Sequence, residues 1–200
     1  SRCIERVKQA LDNTEGAVMA SARVTDPQGK DLFSYWTLLP LWKDLLDTGL
    51  ITRRLFKDML NTPPYRLPNA GDEGSRLVDA VPGSFFMLKP GLLTPQDIEG
   101  LFDSRIFLYY EEKVLGRKFQ EMGLKTVLVT DESYVHAHSA TIDKSLKRMV
   151  DKQRLLHQSK LYYYREYLHA GPALMAAAGV ALDIILAEVW FLTVVCRMRW

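Results

Sequence analysis

The alternation of hydrophobic and polar positions along this chain predicts a succession of helices and strands. Apolar residues spaced three and four apart, such as Ile4, Val7 and Leu11, are typical of an amphipathic helix. Short runs of small and β-branched residues are typical of buried strands. Helices are therefore predicted at 3–11, 111–122 and 145–168, and strands at 17–24, 77–81, 85–88 and 126–129. This pattern predicts a protein of the α/β class.

Turn-forming residues separate these elements. Asp26-Pro-Gln-Gly29 predicts a turn, and Thr94-Pro-Gln-Asp97 predicts the capped start of a helix. Residues 32–60 mix aromatic, aliphatic and basic positions, which favours several short helices. Residues 61–74 are rich in Pro, Gly and Asn and have no clear period, so we expect a mobile loop there.

The segment 172–196 is almost wholly apolar and is long enough to cross a bilayer. Asp183 and Glu188 lie within it, and an acid near the bilayer centre costs about 2.5–3.5 kcal/mol. Three interpretations stay open for this segment. It is a helix packed on the domain or in a dimer contact, a helix lying in the membrane interface, or a true span.

Composition and charge narrow the class of protein. Of the 200 residues, 48% are hydrophobic and 25% are charged, as in a folded globular protein. A net charge of +2 does not favour nucleic acid as a partner. The stretch 144–165 is strongly basic, which fits either an anion-binding surface or a solvated helix face. Cys3 and Cys196 match no metal spacing and no disulfide framework, which fits a reducing compartment.

Glu111 and Glu112 open the predicted helix 111–122 and are the first candidates for chemistry. Acids in the first turn of a helix are favoured by its dipole by roughly 0.3–1 kcal/mol, so a purely structural pair is one interpretation. The aromatic residues that precede them favour another, in which the two carboxylates are partly desolvated. Like charges held close together raise one pKa, and this can turn a carboxylate into a general base.

Two smaller groups of residues add to the candidate chemistry. Gly83 and Ser84 form a turn at which a backbone can approach a ligand closely, unless it is an ordinary Pro-Gly turn. His136 and His138 alternate, so on an extended segment both imidazoles point the same way. They are either metal ligands or a hydrogen-bonded pair at the end of a strand.

Three blocks of sequence, taken in order, carry a resemblance to a known family. They are Val81-Pro-Gly-Ser-Phe-Phe-Met87, Phe107-Leu-Tyr-Tyr-Glu-Glu-Lys-Val-Leu-Gly-Arg117 and Ser133-Tyr-Val-His-Ala-His-Ser139. Together they resemble the acceptor side of an inverting family-2 glycosyltransferase of the GT-A type, over residues 18–168. The resemblance implies a mixed sheet flanked by helices. It makes residues 1–140 part of the catalytic domain and residues 141–200 a helical C-terminal extension with an apolar tail.

The resemblance also implies a role for each candidate. Glu112 is the general base that takes a proton from the acceptor hydroxyl, although the family commonly has Asp there, and Glu111 orients the acceptor. The substrate-binding positions are Gly83, Ser84, Tyr110 and Arg117. A divalent metal, Mn or Mg, is held by a histidine together with an Asp-x-Asp motif. His136 matches that histidine by spacing and His138 is the reserve, whereas the Asp-x-Asp motif is expected just before Ser1.

The implied function is transfer of a sugar, with inversion, from a nucleotide-sugar donor to a glycan or polyprenyl-linked acceptor. We expect this bacterial-type enzyme to serve cell-surface polysaccharide synthesis in the cytoplasm, with peripheral contact to the inner face of the membrane. We also expect the chain to be a C-terminal fragment that is inactive alone, and a homodimer is compatible with its apolar tail. Two alternatives are a non-catalytic membrane-docking or assembly module and a metal-dependent hydrolase.

Overall fold

A computed structural model describes residues 2–60, 74–106, 108–136 and 148–197. Its helices are α1 (Arg2–Asn13), α2 (Leu41–Leu46), α3 (Leu50–Leu55), α4 (Lys57–Leu60), α5 (Pro95–Glu99), α6 (Glu111–Glu121), α7 (Met149–Glu166) and α8 (Pro172–Trp190). Its strands are β1 (Ala17–Thr25), β2 (Ser75–Val78), β3 (Met87–Leu88) and β4 (Lys125–Val135). A 3-10 turn spans Pro90–Leu92, and a π-helical turn, Phe191–Val195, extends α8.

The chain divides into two compact units. The first consists of the described residues within 1–38, 62–104 and 111–138, and it contains the sheet. The second consists of those within 39–61, 105–110 and 139–200, and it is helical. The C-terminal segment that the sequence separates at residue 141 thus forms a unit with two earlier segments, 39–61 and 105–110.

The sheet of the first unit has four strands in the order β2-β4-β1-β3. The central strands β1 and β4 are parallel, whereas β3 and β2 pair with them antiparallel. Ala20 faces Val127 across the parallel pair, and Met19 faces Leu88 across the antiparallel one. The protein is therefore α/β with a mixed sheet, as predicted.

Helices cover both faces of this sheet, which explains why β1 is buried along nearly its whole length. On one face, Cys3, Val7 and Leu11 of α1 pack against alternate residues of β1 and β4. On the other face, Leu115 and Phe119 of α6 pack against Val18 and Leu128.

Strands β2 and β4 end at different residues from the predicted strands, because backbone pairing determines where they end. β4 continues to Val135 because its parallel partner β1 continues to Thr25 after a register shift. Residues 130–132 bulge out at that shift, and the Arg23 guanidinium donates to the carbonyl of Thr130 at 2.7 Å. β2 ends at Val78, before the predicted end, because Ala80 pairs instead with Trp36 outside the sheet.

The helical predictions agree closely with the structure. The predicted cap is present, since Thr94 and Asp97 form a capping box at the start of α5. Residues 41–60 form three short helices, as expected for that mixed pattern. The loop predicted at 61–74 lies outside the described residues except for Gly74.

Candidate functional site

Helix α6 packs directly on the segment that follows β2. A Cβ atom at Gly116 would lie 2.3 Å from the carbonyl oxygen of Asp79 and 3.1 Å from the Cβ of Ala80. Residues four apart share a face of a helix, so the face that carries Gly116 also carries Glu112. The absence of a side chain at Gly116 therefore lets Glu112 approach the turn beyond Ala80.

The segment leading to that turn is fixed by the first unit itself. The carboxylate of Asp79 accepts a hydrogen bond from the backbone N–H of Leu38 at 2.8 Å. Trp36 and Ala80 exchange two backbone hydrogen bonds, of 2.9 and 3.2 Å. These hydrogen bonds fix the backbone that leads to the turn at Gly83 and Ser84, beside α6.

The turn contacts the candidate base. The backbone N–H of Gly83 donates to Oε1 of Glu112 at 3.2 Å. Gly83 does not adopt a positive φ, and a Cβ added there would stand 3.4 Å from that oxygen, which is ordinary contact. The contact thus uses the backbone N–H and does not require glycine at this position.

The neighbouring serine contacts the third block of sequence. The Ser84 hydroxyl lies 2.6 Å from the Tyr134 hydroxyl, and the Tyr134 ring packs edge-to-face on Phe85 with centroids 5.1 Å apart. Buried Ser21 donates to the carbonyl of Phe85 at 2.7 Å. Burial raises the pKa of Tyr134, hydrogen bonds with Ser84 and Ser21 oppose that rise, and the charge of Glu112 adds to it.

Glu111, the other carboxylate of the pair, is partly buried. Partial burial raises the pKa of Glu111, and the nearby negative charge of Glu112 raises it further. A hydrogen bond to its own backbone N–H works in the opposite direction. Burial is thus the main reason for the raised pKa of Glu111, and the neighbouring carboxylate is a smaller one.

Arg117 points away from the candidate base. Five residues along a helix correspond to about 140° of rotation, so Arg117 and Glu112 lie on different faces of α6. Arg117 Nη1 donates to Oε1 of Gln120 at 2.8 Å, and its Nε lies 3.5 Å from a carboxylate oxygen of Glu121. The expected substrate contact of Arg117 beside Glu112 does not fit this placement.

Tyr110 is placed in the second unit, where it is only 7% exposed. Its hydroxyl donates to the buried carboxylate of Asp44. Burial and then the charge of Asp44 raise its pKa well above the ordinary range, so the phenol stays protonated. A ring so covered offers almost no surface to a sugar, and the expected substrate-binding role of Tyr110 does not fit its position.

His136 lies just after β4, and its backbone N–H donates to the carbonyl of Thr25 at 2.9 Å. The imidazole is partly buried. His138, the reserve ligand, lies outside the described residues. Within the ranges that the structure describes, no three His, Cys, Asp or Glu side chains come together to hold a metal ion.

Sequence reasoning missed three residues that build this site: Gly116, Tyr134 and Ser21. Gly116 has a recognisable signal, since a glycine inside a helical pattern often marks close packing. Tyr134 and Ser21 have no comparable signal, because their roles follow from pairing between distant strands. The site that emerges is a turn at 83–84 held between Glu112 and Tyr134.

No protein-family model, characterised protein or solved structure matches this chain.

Proposed function

We propose that this chain provides the acceptor side of an inverting glycosyltransferase with a GT-A fold. The supporting observation is that residues from each of the three blocks of sequence meet in the first unit. Gly83 of the first block bonds Glu112 of the second, and Ser84 of the first bonds Tyr134 of the third. Residues separated by tens of positions are thus joined through the turn at 83–84, which bonds Glu112 on one side and Tyr134 on the other.

In the proposed reaction, Glu112 is the general base. The N–H of Gly83 holds one carboxylate oxygen, which leaves the other to accept the proton of an acceptor hydroxyl. As that proton moves, the acceptor oxygen forms a bond to the anomeric carbon. The bond from that carbon to the nucleoside diphosphate breaks, and its electron pair leaves with the diphosphate. Attack from the opposite face inverts the configuration at this carbon.

The other residues act by positioning. Glu111, beside the base, orients the acceptor by accepting hydrogen bonds from its hydroxyl groups. Tyr134 holds Ser84 and thereby the turn whose N–H fixes Glu112. Substrates of this reaction are a nucleotide sugar and a glycan or lipid-linked acceptor at the cytoplasmic face of a membrane.

The described residues do not supply a complete site for the metal ion that the resemblance implies. His136 is the single described residue to which that role was assigned, and one imidazole does not hold a divalent ion. The described residues therefore do not fit the metal by themselves.

The test is Glu112→Gln, assayed as sugar transfer with any residues encoded before Ser1 included. Loss of a general base lowers the rate by about 10²–10⁴-fold, while the fold is kept because Gln retains an oxygen for the Gly83 N–H. Glu99→Gln, at the exposed end of α5, is the matched control and should leave turnover unchanged. Full turnover by Glu112→Gln would remove Glu112 from the mechanism and favour a docking or assembly module.

A further inference from the structure

Helix α8 and its π-helical extension leave most of their surface uncovered. Together they span Pro172–Val195, 24 residues, and form the one helix in the described chain that is long and apolar enough to cross a membrane. Only 22% of the residues in its most apolar stretch are buried. One side is packed in the second unit, through Ala178, Leu182, Ile185 and Val189. The opposite side needs a different partner.

The uncovered side of α8 adjoins helix α3. Ile184 and Phe191 are exposed and lie four residues before and three after Glu188, so the three share a stripe. The Glu188 carboxylate accepts a hydrogen bond from the backbone N–H of Ile51 at 2.7 Å, at the start of α3. A Cβ at Gly49 would stand 3.3 Å from the same carboxylate, so α3 begins against α8.

Helices α3 and α4, in the same unit, also expose large apolar side chains. Ile51 and Leu55 are four apart on α3 and share a face, and Leu55 is 72% exposed. Phe56 and Met59 are also exposed, in and just before α4. We call the six residues Ile51, Leu55, Phe56, Met59, Ile184 and Phe191 the apolar surface. Large exposed apolar areas on a soluble unit mark interaction sites.

Basic residues are interleaved with the apolar surface. Arg54 and Lys57 are exposed and flank Leu55 and Phe56 in the sequence, and Asp58 is the exposed acid of this stretch. The neighbouring Arg53 pairs with Asp47 at 3.2 Å. The area therefore combines apolar anchors with an excess of positive charge.

The two acids of α8 lie in different places. Glu188 is held by the N–H of Ile51. Asp183 is exposed, but it lies five residues before Glu188, about 140° around the helix, so it is not on the stripe of Ile184, Glu188 and Phe191.

We propose that the apolar surface of the second unit binds the interface of an anionic lipid bilayer, with Leu55 as a principal anchor. Apolar side chains enter the acyl boundary while Arg54 and Lys57 meet lipid headgroups. α8 lies along the interface and does not cross it, because its inner side is packed in the second unit and Glu188 is tied to α3. This inference is independent of sugar transfer, so either proposal can fail alone.

The test is flotation of the full chain with phosphatidylcholine vesicles, with and without phosphatidylglycerol. Wild-type chain should float with the anionic vesicles and be released by high salt. Leu55→Asp should lower its partition by about tenfold or more, since a Leu anchor is replaced by a charge. Lys57→Glu should weaken binding to anionic vesicles and leave binding to neutral ones unchanged. Trp190, which is exposed on α8, should shift its fluorescence to the blue on binding.

Matched controls come from the first unit. Leu92→Asp and Lys30→Glu change exposed residues of the same types and should bind as wild type. Equal binding of all variants, or equal affinity for neutral and anionic vesicles, would overturn the proposal. Retention in membranes after alkaline carbonate would also overturn it, in favour of a span. A dimer that Leu55→Asp dissociates without loss of vesicle binding would identify a second copy of the chain as the occupant.

Discussion

Two carboxylates, one in each unit, show opposite uses of the same chemical group. In the second unit, one oxygen of Asp44 accepts from Lys160 Nζ at 2.7 Å and from the Tyr164 hydroxyl at 2.6 Å. The Tyr110 hydroxyl donates to the same oxygen, and the Asp44 and Lys160 side chains are only 2% and 5% exposed. In the first unit, Glu112 accepts one described hydrogen bond, from the N–H of Gly83, and is partly exposed.

Asp44 and Glu112 differ in whether buried groups require the carboxylate as a partner. Buried Lys160 and the two phenols need Asp44, because an unpaired buried charge or hydroxyl is costly. Burial and then the charge of Asp44 raise the pKa of Tyr164, so its phenol remains a donor. Among the described residues, no buried charge or hydroxyl depends on Glu112 in this way, and the Gly83 N–H bonds one of its two oxygens. A carboxylate at the surface with an oxygen that accepts no hydrogen bond from the protein is a candidate for chemistry. A carboxylate that buried groups require as their partner is a structural residue.

The largest predicted effect follows from this dependence. Asp44→Ala should lower the free energy of unfolding by about 3–5 kcal/mol, because it leaves the Lys160 charge buried without its partner. Glu112→Ala should change it by about 0.5 kcal/mol or less, as for other surface substitutions. Urea unfolding followed by circular dichroism measures both values.

A double substitution separates charge from packing. Asp44→Leu combined with Lys160→Met should recover the part of the lost stability that comes from the unpaired Lys160 charge, while the Tyr110 and Tyr164 hydroxyls stay without their acceptor. Equal destabilisation by Asp44→Ala and Glu112→Ala would contradict the contrast between the two carboxylates.

This contrast also shows where sequence reasoning reaches its limit. Lys160 belongs to the basic stretch 144–165, whose pattern fits a solvated face, yet it is buried on Asp44, 116 residues away. A local pattern contains no information about so distant a partner. The aromatic lead before Glu111 was interpreted in the same local way, and Tyr110 proved to belong to the Asp44 cluster.

Features set by local chemistry were predicted well. Helical spacing predicted α1 and α6, and Thr-Pro-x-Asp predicted the cap of α5. Strand ends were predicted less well, because β4 ends together with its partner β1 and β2 ends where Ala80 begins to pair with Trp36. The family resemblance implied both Gly83 and Glu112 as site residues, but 29 residues separate them and no local rule predicts the hydrogen bond between them.

The second prediction tests how backbone packing positions Glu112. Gly116→Ala would place a methyl group 2.3 Å from the Asp79 carbonyl, so α6 or the segment 79–84 must move. Such overpacking should lower the free energy of unfolding by about 1–3 kcal/mol. In the 15N-labelled chain, the Gly83 amide signal should shift as its bond to Glu112 changes.

Gly179→Ala is the matched control for that change. Gly179 lies within α8, and a Cβ there meets nothing within 4 Å. Because alanine restricts the unfolded chain more than glycine does, Gly179→Ala should stabilise by about 0.4–1 kcal/mol. If Gly116→Ala were equally stabilising, the close approach of α6 to Asp79 would be refuted.

The smallest predicted effect is a loss of stability at low pH, where protonation of His157 adds a charge to the second unit. His157 on α7 is buried, its Nε2 lies 2.9 Å from the Gln153 side-chain nitrogen, and Lys160 is one turn away. Burial, and then the positive charge of Lys160, lowers the pKa of His157 from 6.5 to about 4. The contact with Gln153 requires the neutral ring as acceptor, because an amide nitrogen only donates.

Since the unfolded chain takes up the His157 proton more readily than the folded one, stability should fall as the pH drops from 6.5 to about 4. The expected loss is about 1–2 kcal/mol, because relaxation around the charged ring recovers part of the cost. His157→Gln should remove this dependence, whereas His169→Gln, at an exposed position, should retain it. Unfolding measured across that pH range decides the question. If the free energy of unfolding depended on pH in His157→Gln as it does in the wild type, His157 would not be the source of that dependence. The second unit would then tolerate a further buried charge without a partner, in contrast to the Lys160 charge, which is paired with Asp44.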